Sequence, residues 1–233
     1  MPSWIMHFAV ANKVSEKLGY NNEQKNEFIF ANIAPDIFEG YLVKDLSNLV
    51  RDYSTHFPEI MEINGMNIPI PNVDRFIQKY KSKLDNPVIC GYLCHLLIDR
   101  FWNTYTYGKY LSNFNREKKL VVIKNKDGGK DIESFSVASK RKQKDFKNFC
   151  KYIKNNYKID FPYYSKKILK DINELEEFKF EEEDIKKTIN YIENNLKNVV
   201  EKENNEYKMF TLDELLKKHN ESIDYVLENL TKN

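Results

Sequence analysis

Along the 233 residues, apolar positions recur mostly at three- and four-residue steps, the rhythm of helices that bury one face. Trp4, His7, Phe8, Ala11, Val14 and Leu18 form the first such stripe, and Gly19 supplies a stop. Asn22 is placed to cap a second helix carrying Phe28, Ile29 and Ile33. That helix should break before Pro35, because a residue preceding proline avoids α geometry. Residues 37 to 71 mix short apolar stretches with Pro58, Gly65, Pro69 and Pro71 and read as mostly loop. Asn72 then caps a helix with Val73, Phe76, Ile77, Tyr80 and Leu84 inward. From Pro87 to Trp102 the chain is apolar nearly all round, which predicts a central, fully packed helix started by Asn86 at the cap and Pro87 at the first position. Residues 103 to 135 look irregular, with a turn at Asp127-Gly128-Gly129 and a candidate short strand over Leu120 to Ile123.

From Ser136 the pattern shifts to long, charged, amphipathic helices. One carries Phe146, Phe149, Cys150, Ile153 and Tyr157 inward. A second, from about 181 to 203, carries Ile185, Ile189, Ile192, Leu196 and Val199. The last opens with a capping box from Thr211 to Glu214 and presents Leu212, Leu215, Leu216, Ile223, Val226 and Leu230. No internal repeat is present. The expected fold is all-α, one multi-helix domain over residues 1–233. Residues 1–105 bear the candidate ligands, and 136–233 complete the bundle.

Composition narrows the class. Apolar residues at 41% and charged residues at 31% suit a chain that buries a sizeable core. Thirty-seven basic against 35 acidic residues leave +2, so no global field recruits nucleic acid, and no stable nucleic-acid partner is expected. Cys90 and Cys94 lie four apart in an apolar helical run and read as buried thiols rather than a bridge, and with Cys150 they match no zinc-knuckle spacing. The opening Met-Pro-Ser-Trp-Ile-Met-His lacks the basic start of an export signal. Nothing approaches the roughly 18 apolar residues of a spanning helix. The expectation is a cytoplasmic protein with no transmembrane segment.

The four histidines are few enough to weigh singly. His95 and Asp99 stand four apart in the most apolar helix, hence on one face. An ionised carboxylate buried there costs several kcal/mol unless it is paired or bound to metal. Both readings, a metal ligand pair and a hydrogen-bonded staple, fit that spacing. Gly91, one turn earlier, leaves room for another chain or an ion. His7 lies on the apolar face of the first helix, where a lone histidine is usually a core residue. Asp36, in the apolar stretch IAPDI, has little reason to face solvent. His56 sits in STHFP, and loops are where ligands are presented. As a set, His7, Asp36, His56, His95 and Asp99 offer mixed nitrogen and oxygen donors, suited to zinc or a related divalent ion. Two carboxylates among five ligands suit a pair of ions about 4 Å apart, the arrangement that activates water against a phosphate ester.

The strings MPSWIMHFAVANKV, FANIAPDIF, STHF and GYLCHLLIDRFW resemble the zinc-dependent phospholipase C family over residues 1 to 105. The resemblance implies an all-helical fold with a metal cluster between helices, and phosphodiester hydrolysis by metal-activated water. It implies that Asp36, His56, His95 and Asp99 surround one ion, and that Asp99 bridges to a second ion that His7 also binds. Asp36 and Asp99 are then the catalytic carboxylates, zinc the expected ion with iron or manganese as substitutes, and a phosphoester small molecule or lipid headgroup the partner.

The chain departs from that family in two ways. Secreted members ligate through a mature N-terminal tryptophan, whereas Trp4 is internal, and their later histidine pair and glutamate are missing, since only His219 follows residue 99. Asp145, beside the apolar face at Phe146 and Phe149, is the candidate replacement ligand, with a solvated helix flank as the plainer reading. His219 reads as core-facing. The basic run from Lys140 to Lys144 suits either a phosphate or an ordinary solvated face. Tyr105 and Tyr107 either line a cleft or pack. The competing functions are a helical protein that keeps a structural metal without catalysis, and another helical metallo-phosphohydrolase, which the absence of an adjacent His-Asp pair disfavours.

Overall fold

The computed structural model describes residues 2–40, 42–50, 53–115, 117–197 and 206–232. Nine α-helices run through these residues. They are α1 (Trp4–Lys17), α2 (Asn22–Ala31), α3 (Ala34–Phe38), α4 (Val73–Tyr80), α5 (Pro87–Lys109), α6 (Phe135–Asn156), α7 (Lys166–Ile172), α8 (Glu182–Ile192) and α9 (Leu212–Thr231). Two small antiparallel sheets interrupt them: β1 (Pro58–Ile63) with β2 (Met66–Pro71), and β3 (Leu111–Asn115), β4 (Leu120–Lys124) and β5 (Lys130–Ser134) in that order. The fold is therefore mixed α/β, not all-α.

Each sheet has a local cause. Asn64 (φ 52°) and Gly65 (φ 78°) both adopt left-handed backbone, which makes the two-residue hairpin turn that joins β1 to β2. On β2, Met66, Ile68 and Ile70 turn inward while Pro69 stays outside, opposite Ile60. A two-stranded ribbon has only edge strands, so prolines are tolerated there. In the second sheet Val121 and Ile123 are fully buried and their neighbours less so, a period of two. The predicted turn at Asp127-Gly128-Gly129 joins β4 to β5, with Gly128 at φ 85° and the Gly129 N–H donating to Asp127 Oδ1.

Most helix starts follow the sequence. Asn72 and Asn86 accept N–H bonds from Arg75 and Val88, and Ser134 caps α6. The cap of α2 is Asn21, one residue before the expected Asn22, and it forms a capping box with Gln24. Pro35 does not simply end a helix. It sits in the first turn of the separate α3, where its missing N–H costs nothing. At α9 Thr211 accepts from the Glu214 N–H, but the Glu214 side chain is taken by Tyr105, Tyr110 and Lys109 rather than reaching back to the cap. Tyr107 stacks on Phe135. The α8 helix gives way to a π turn over Glu193–Lys197, and Val199 lies outside the described residues.

Helix α5 is central, packing against α1, α2, α4 and α9 and against β2 and β3. Its close approach to α2 is set at Gly91, where a Cβ would lie 2.3 Å from the Phe28 carbonyl oxygen and 2.9 Å from Ala31 Cβ. The space that glycine leaves is filled by another chain segment, not by an ion. Cys90, Cys94 and Cys150 are buried free thiols. No described helix is long and apolar enough to cross a membrane.

Candidate metal centre

Five of the six sequence-predicted ligands converge between α1, α3, the 3₁₀ turn Ser54–His56 and α5. His7, His56, His95 and Asp99 are fully buried, and Asp36 is 4% exposed. Their fit to a divalent ion is a matter of separations. His56 Nε2 lies 3.1 Å from His95 Nε2, 3.4 Å from Asp36 Oδ1 and 3.7 Å from Asp99 Oδ2, which is also 3.7 Å from His95 Nε2. Four donors placed tetrahedrally at zinc-ligand distances stand about 3.3–3.4 Å apart. Asp36, His56 and His95 offer mutually close donor atoms, and so do His7, His95 and Asp99.

The backs of the rings decide which nitrogens are free. His95 Nδ1 lies 2.7 Å from the Asn32 carbonyl oxygen, which can only accept, so Nδ1 carries the hydrogen and Nε2 keeps its lone pair. His56 Nδ1 lies 3.0 Å from Glu39 Oε1, which also accepts from the Thr55 hydroxyl at 3.0 Å. Both rings thus turn Nε2 toward the same point, His95 with a lone pair there. Such outer partners fix the tautomer of metal-binding histidines. The Asn32 carbonyl reaches His95 because Gly91 lets α2 lie against α5. Trp4 Nε1 holds Asp36 from behind, donating to Oδ2 at 3.0 Å and leaving Oδ1 toward the cluster.

Asp99 divides its carboxylate. Oδ2 faces the His56–His95 pair, while Oδ1 lies 3.4 Å from His7 Nε2 without hydrogen-bond geometry. The His7 and His95 rings stack at 4.4 Å. Among the described residues, His7 Nε2, Asp36 Oδ1 and both Asp99 oxygens are buried with no hydrogen-bond partner. Buried polar atoms are normally paired, and charges more so, and a cation held here would pair these orphans.

The electrostatics agree. Burial alone would raise Asp36 and Asp99, yet the neighbouring imidazoles hold both below the usual carboxylate range, His56 and His95 acting on Asp36 and His7 and His95 on Asp99. Burial, aided by His7, pushes His95 down to about 3. His56 goes the other way, to about 9, because bonding to Asp36 and Glu39 overcomes its burial. The carboxylates thus favour positive charge at this point, and a divalent ion would displace the His56 proton.

His56 is presented by strained backbone. Tyr53 and Phe57 on either side have φ of 62° and 49°, a region costing about 1–3 kcal/mol for residues with bulky side chains. Tyr53 stacks flat on the His56 ring at 4.2 Å.

The sixth predicted ligand, Asp145, is not part of the cluster. Its carboxylate accepts the backbone N–H groups of Lys208, Met209 and Phe210 at 2.7–3.2 Å, tying α6 to the chain entering α9. His219 is fully buried against Phe149 and Tyr157, with neither ring nitrogen hydrogen-bonded among the described residues. Within the basic run, Arg141 pairs with Asp131 and Glu133, Lys142 lies over the Tyr107 ring, and Lys144 faces Glu206. Glu39 went unnoticed in the sequence, although the reasoning that singled out Asp36, a carboxylate in too apolar a stretch, applies equally three residues later. Asn32 acts through its backbone and leaves no side-chain signal.

A cavity of about 570 Å³ meets the cluster at Trp4 and Asp36 and opens to solvent between α1 and α6. No protein-family model, curated protein or solved structure matches this chain.

Proposed function

We propose that the protein is a metal-dependent phosphoester hydrolase, using zinc, or iron or manganese in its place, against a phosphodiester or phosphomonoester. The observation that carries this reading is the 3.1 Å approach of two imidazole Nε2 atoms whose Nδ1 positions are already committed. Without an ion that contact is a hydrogen bond from the protonated His56 Nε2 to the His95 Nε2 lone pair, and a divalent ion would take the place of that proton. Asp36, His56, His95 and Asp99 would hold one ion, and Asp99 Oδ1 with His7 a second. The resemblance of the four ligand-bearing strings to zinc-dependent phospholipases C supports the same assignment. Bound ions would supply Lewis acidity toward a phosphoryl oxygen and lower the pKa of an attacking water. Of the five cluster residues, Asp36 alone lines the cavity, so water arriving there would meet the cluster at Asp36. A small phosphoester or lipid headgroup in the cytoplasm is the setting this reading favours.

The complete burial of four of the five ligands favours a second reading, a structural ion without catalysis. The cavity that reaches the cluster at Asp36 argues against it, because a catalytic ion keeps a position for water. Purified protein should contain one or two divalent ions by mass spectrometry and turn over bis(4-nitrophenyl) phosphate with Zn²⁺, Mn²⁺ or Fe²⁺. Asp99→Asn should abolish metal content while leaving the helical far-UV signal. Bound metal without turnover favours the structural reading; no metal after zinc incubation overturns both.

A further inference from the structure

The two carboxylates of the cluster are held differently. Both oxygens of Asp99 are without a hydrogen-bond partner among the described residues. Asp36 has only Oδ1 orphaned, because the Trp4 indole donates from Nε1 to Oδ2 at 3.0 Å. An indole offers a single N–H and no lone pair, so it bonds one oxygen and cannot itself take the ion. A bond from an N–H to a carboxylate is also about twice as strong as one between neutral groups. Trp4 is fixed where it stands. It is buried at the start of α1, and Phe8 and Tyr191 meet it edge to face, with ring centres 6.4 and 6.1 Å away. Asp36 Oδ1 is left 3.4 Å from His56 Nε2, on the side where an ion would sit.

We propose that Trp4 is a positioning residue: by occupying Oδ2 it makes Asp36 a one-oxygen ligand and keeps a coordination position of the ion free for water. Released from the indole, the carboxylate can rotate and close on the ion with both oxygens, filling the place that water needs. The open position rests on the hydrolase reading above, because a structural ion needs none. The grip on Asp36 is a property of the indole N–H and is tested separately.

The test removes the N–H and little else. Trp4→Phe keeps an aromatic body. Benzothienylalanine introduced in place of Trp4 keeps the whole bicyclic shape with sulfur where the N–H was, so it decides the matter even if Trp4→Phe folds poorly. Trp102→Phe is the control, the same change at a buried indole whose N–H has no hydrogen-bond partner among the described residues. By chelator competition, both proteins altered at Trp4 should bind zinc roughly 10–100-fold more weakly than Trp102→Phe, the usual cost of losing a partner behind a metal ligand. With cobalt(II) in place of zinc, azide changes the visible spectrum where it enters an open position on the ion. The parent protein and Trp102→Phe should respond, and the proteins altered at Trp4 should need severalfold more azide. Zinc affinity equal to that of Trp102→Phe, or an azide response equal to that of a responsive parent, overturns the proposal. A parent that holds cobalt but gives no azide response fails the hydrolase reading instead. A loss of zinc confined to the proteins altered at Trp4 would then still sustain Trp4 as the group that sets Asp36.

Discussion

Glu39 Oε1 lies 3.0 Å from His56 Nδ1, so the ring is gripped from behind and its Nε2 is aimed at His95. Glu39 is itself 95% removed from solvent, at 5% exposure, and no lysine or arginine pairs with it among the described residues. Its partners are the His56 ring and the Thr55 hydroxyl. A buried carboxylate tolerated on such terms is explained by what it does for the imidazole. Glu39→Ala should lower zinc affinity by roughly 10–100-fold, the usual cost of losing an outer partner of a metal-binding histidine. Glu39→Gln keeps an acceptor near Nδ1 and should lose less. Chelator competition measures both, and equal zinc affinity in all three proteins would remove Glu39 from the centre.

Gly91 makes a second, geometric prediction. With a Cβ only 2.3 Å from the Phe28 carbonyl oxygen, Gly91→Ala must push α2 away from α5. The cost by overpacking is about 1–3 kcal/mol, readable as a shifted urea midpoint. The displacement also carries the Asn32 carbonyl away from His95 Nδ1, so zinc affinity should fall with stability. Gly108, where an added Cβ meets nothing within 4 Å, is the control: Gly108→Ala should alter neither stability appreciably nor zinc affinity.

These two residues mark where the sequence is readable. Long amphipathic helices announce themselves by period, and α1, α5 and α9 lie close to where their apolar stripes place them. His95 and Asp99 stood out because a charged group inside such a stripe needs a partner. The hairpin over residues 58–71 was hidden because Pro58, Pro69 and Pro71 read as loop, although Asn64-Gly65 between alternating apolar residues is a hairpin signal. The three-stranded sheet was only partly visible, since its strands are five residues each and one is rich in charge. What holds the ligands in place was least visible of all. The Asn32 carbonyl is backbone and leaves no side-chain signal.

Asp145 separates a structural carboxylate from a metal ligand. Asp145→Ala leaves the N–H groups of Lys208, Met209 and Phe210 without their acceptor, in a segment where Met209 and Phe210 are fully buried. Unpaired buried donors of this kind cost about 1–3 kcal/mol. The variant should melt at lower temperature while binding as much zinc as the parent protein at 10 °C. A loss of zinc with unchanged stability would return Asp145 to the ligand set.

His219 predicts a pH dependence of a known sign. Burial alone holds its imidazole down at about 4, against about 6.5 for an exposed histidine. Between those values the unfolded chain takes up a proton that the folded chain refuses, so stability falls as pH drops from about 6.5 to about 4 and this contribution levels off below. The full effect is at most about 3 kcal/mol. Above pH 6.5 the residue is neutral in both states and contributes no slope. His219→Leu removes both the titration and two ring nitrogens that have no hydrogen-bond partner among the described residues. Carboxylates that titrate in the same range are shared by the two proteins and cancel in their difference. Urea unfolding from pH 7 to pH 4 should therefore show the parent losing more stability than His219→Leu, and parallel curves would mean that His219 takes up its proton inside the fold.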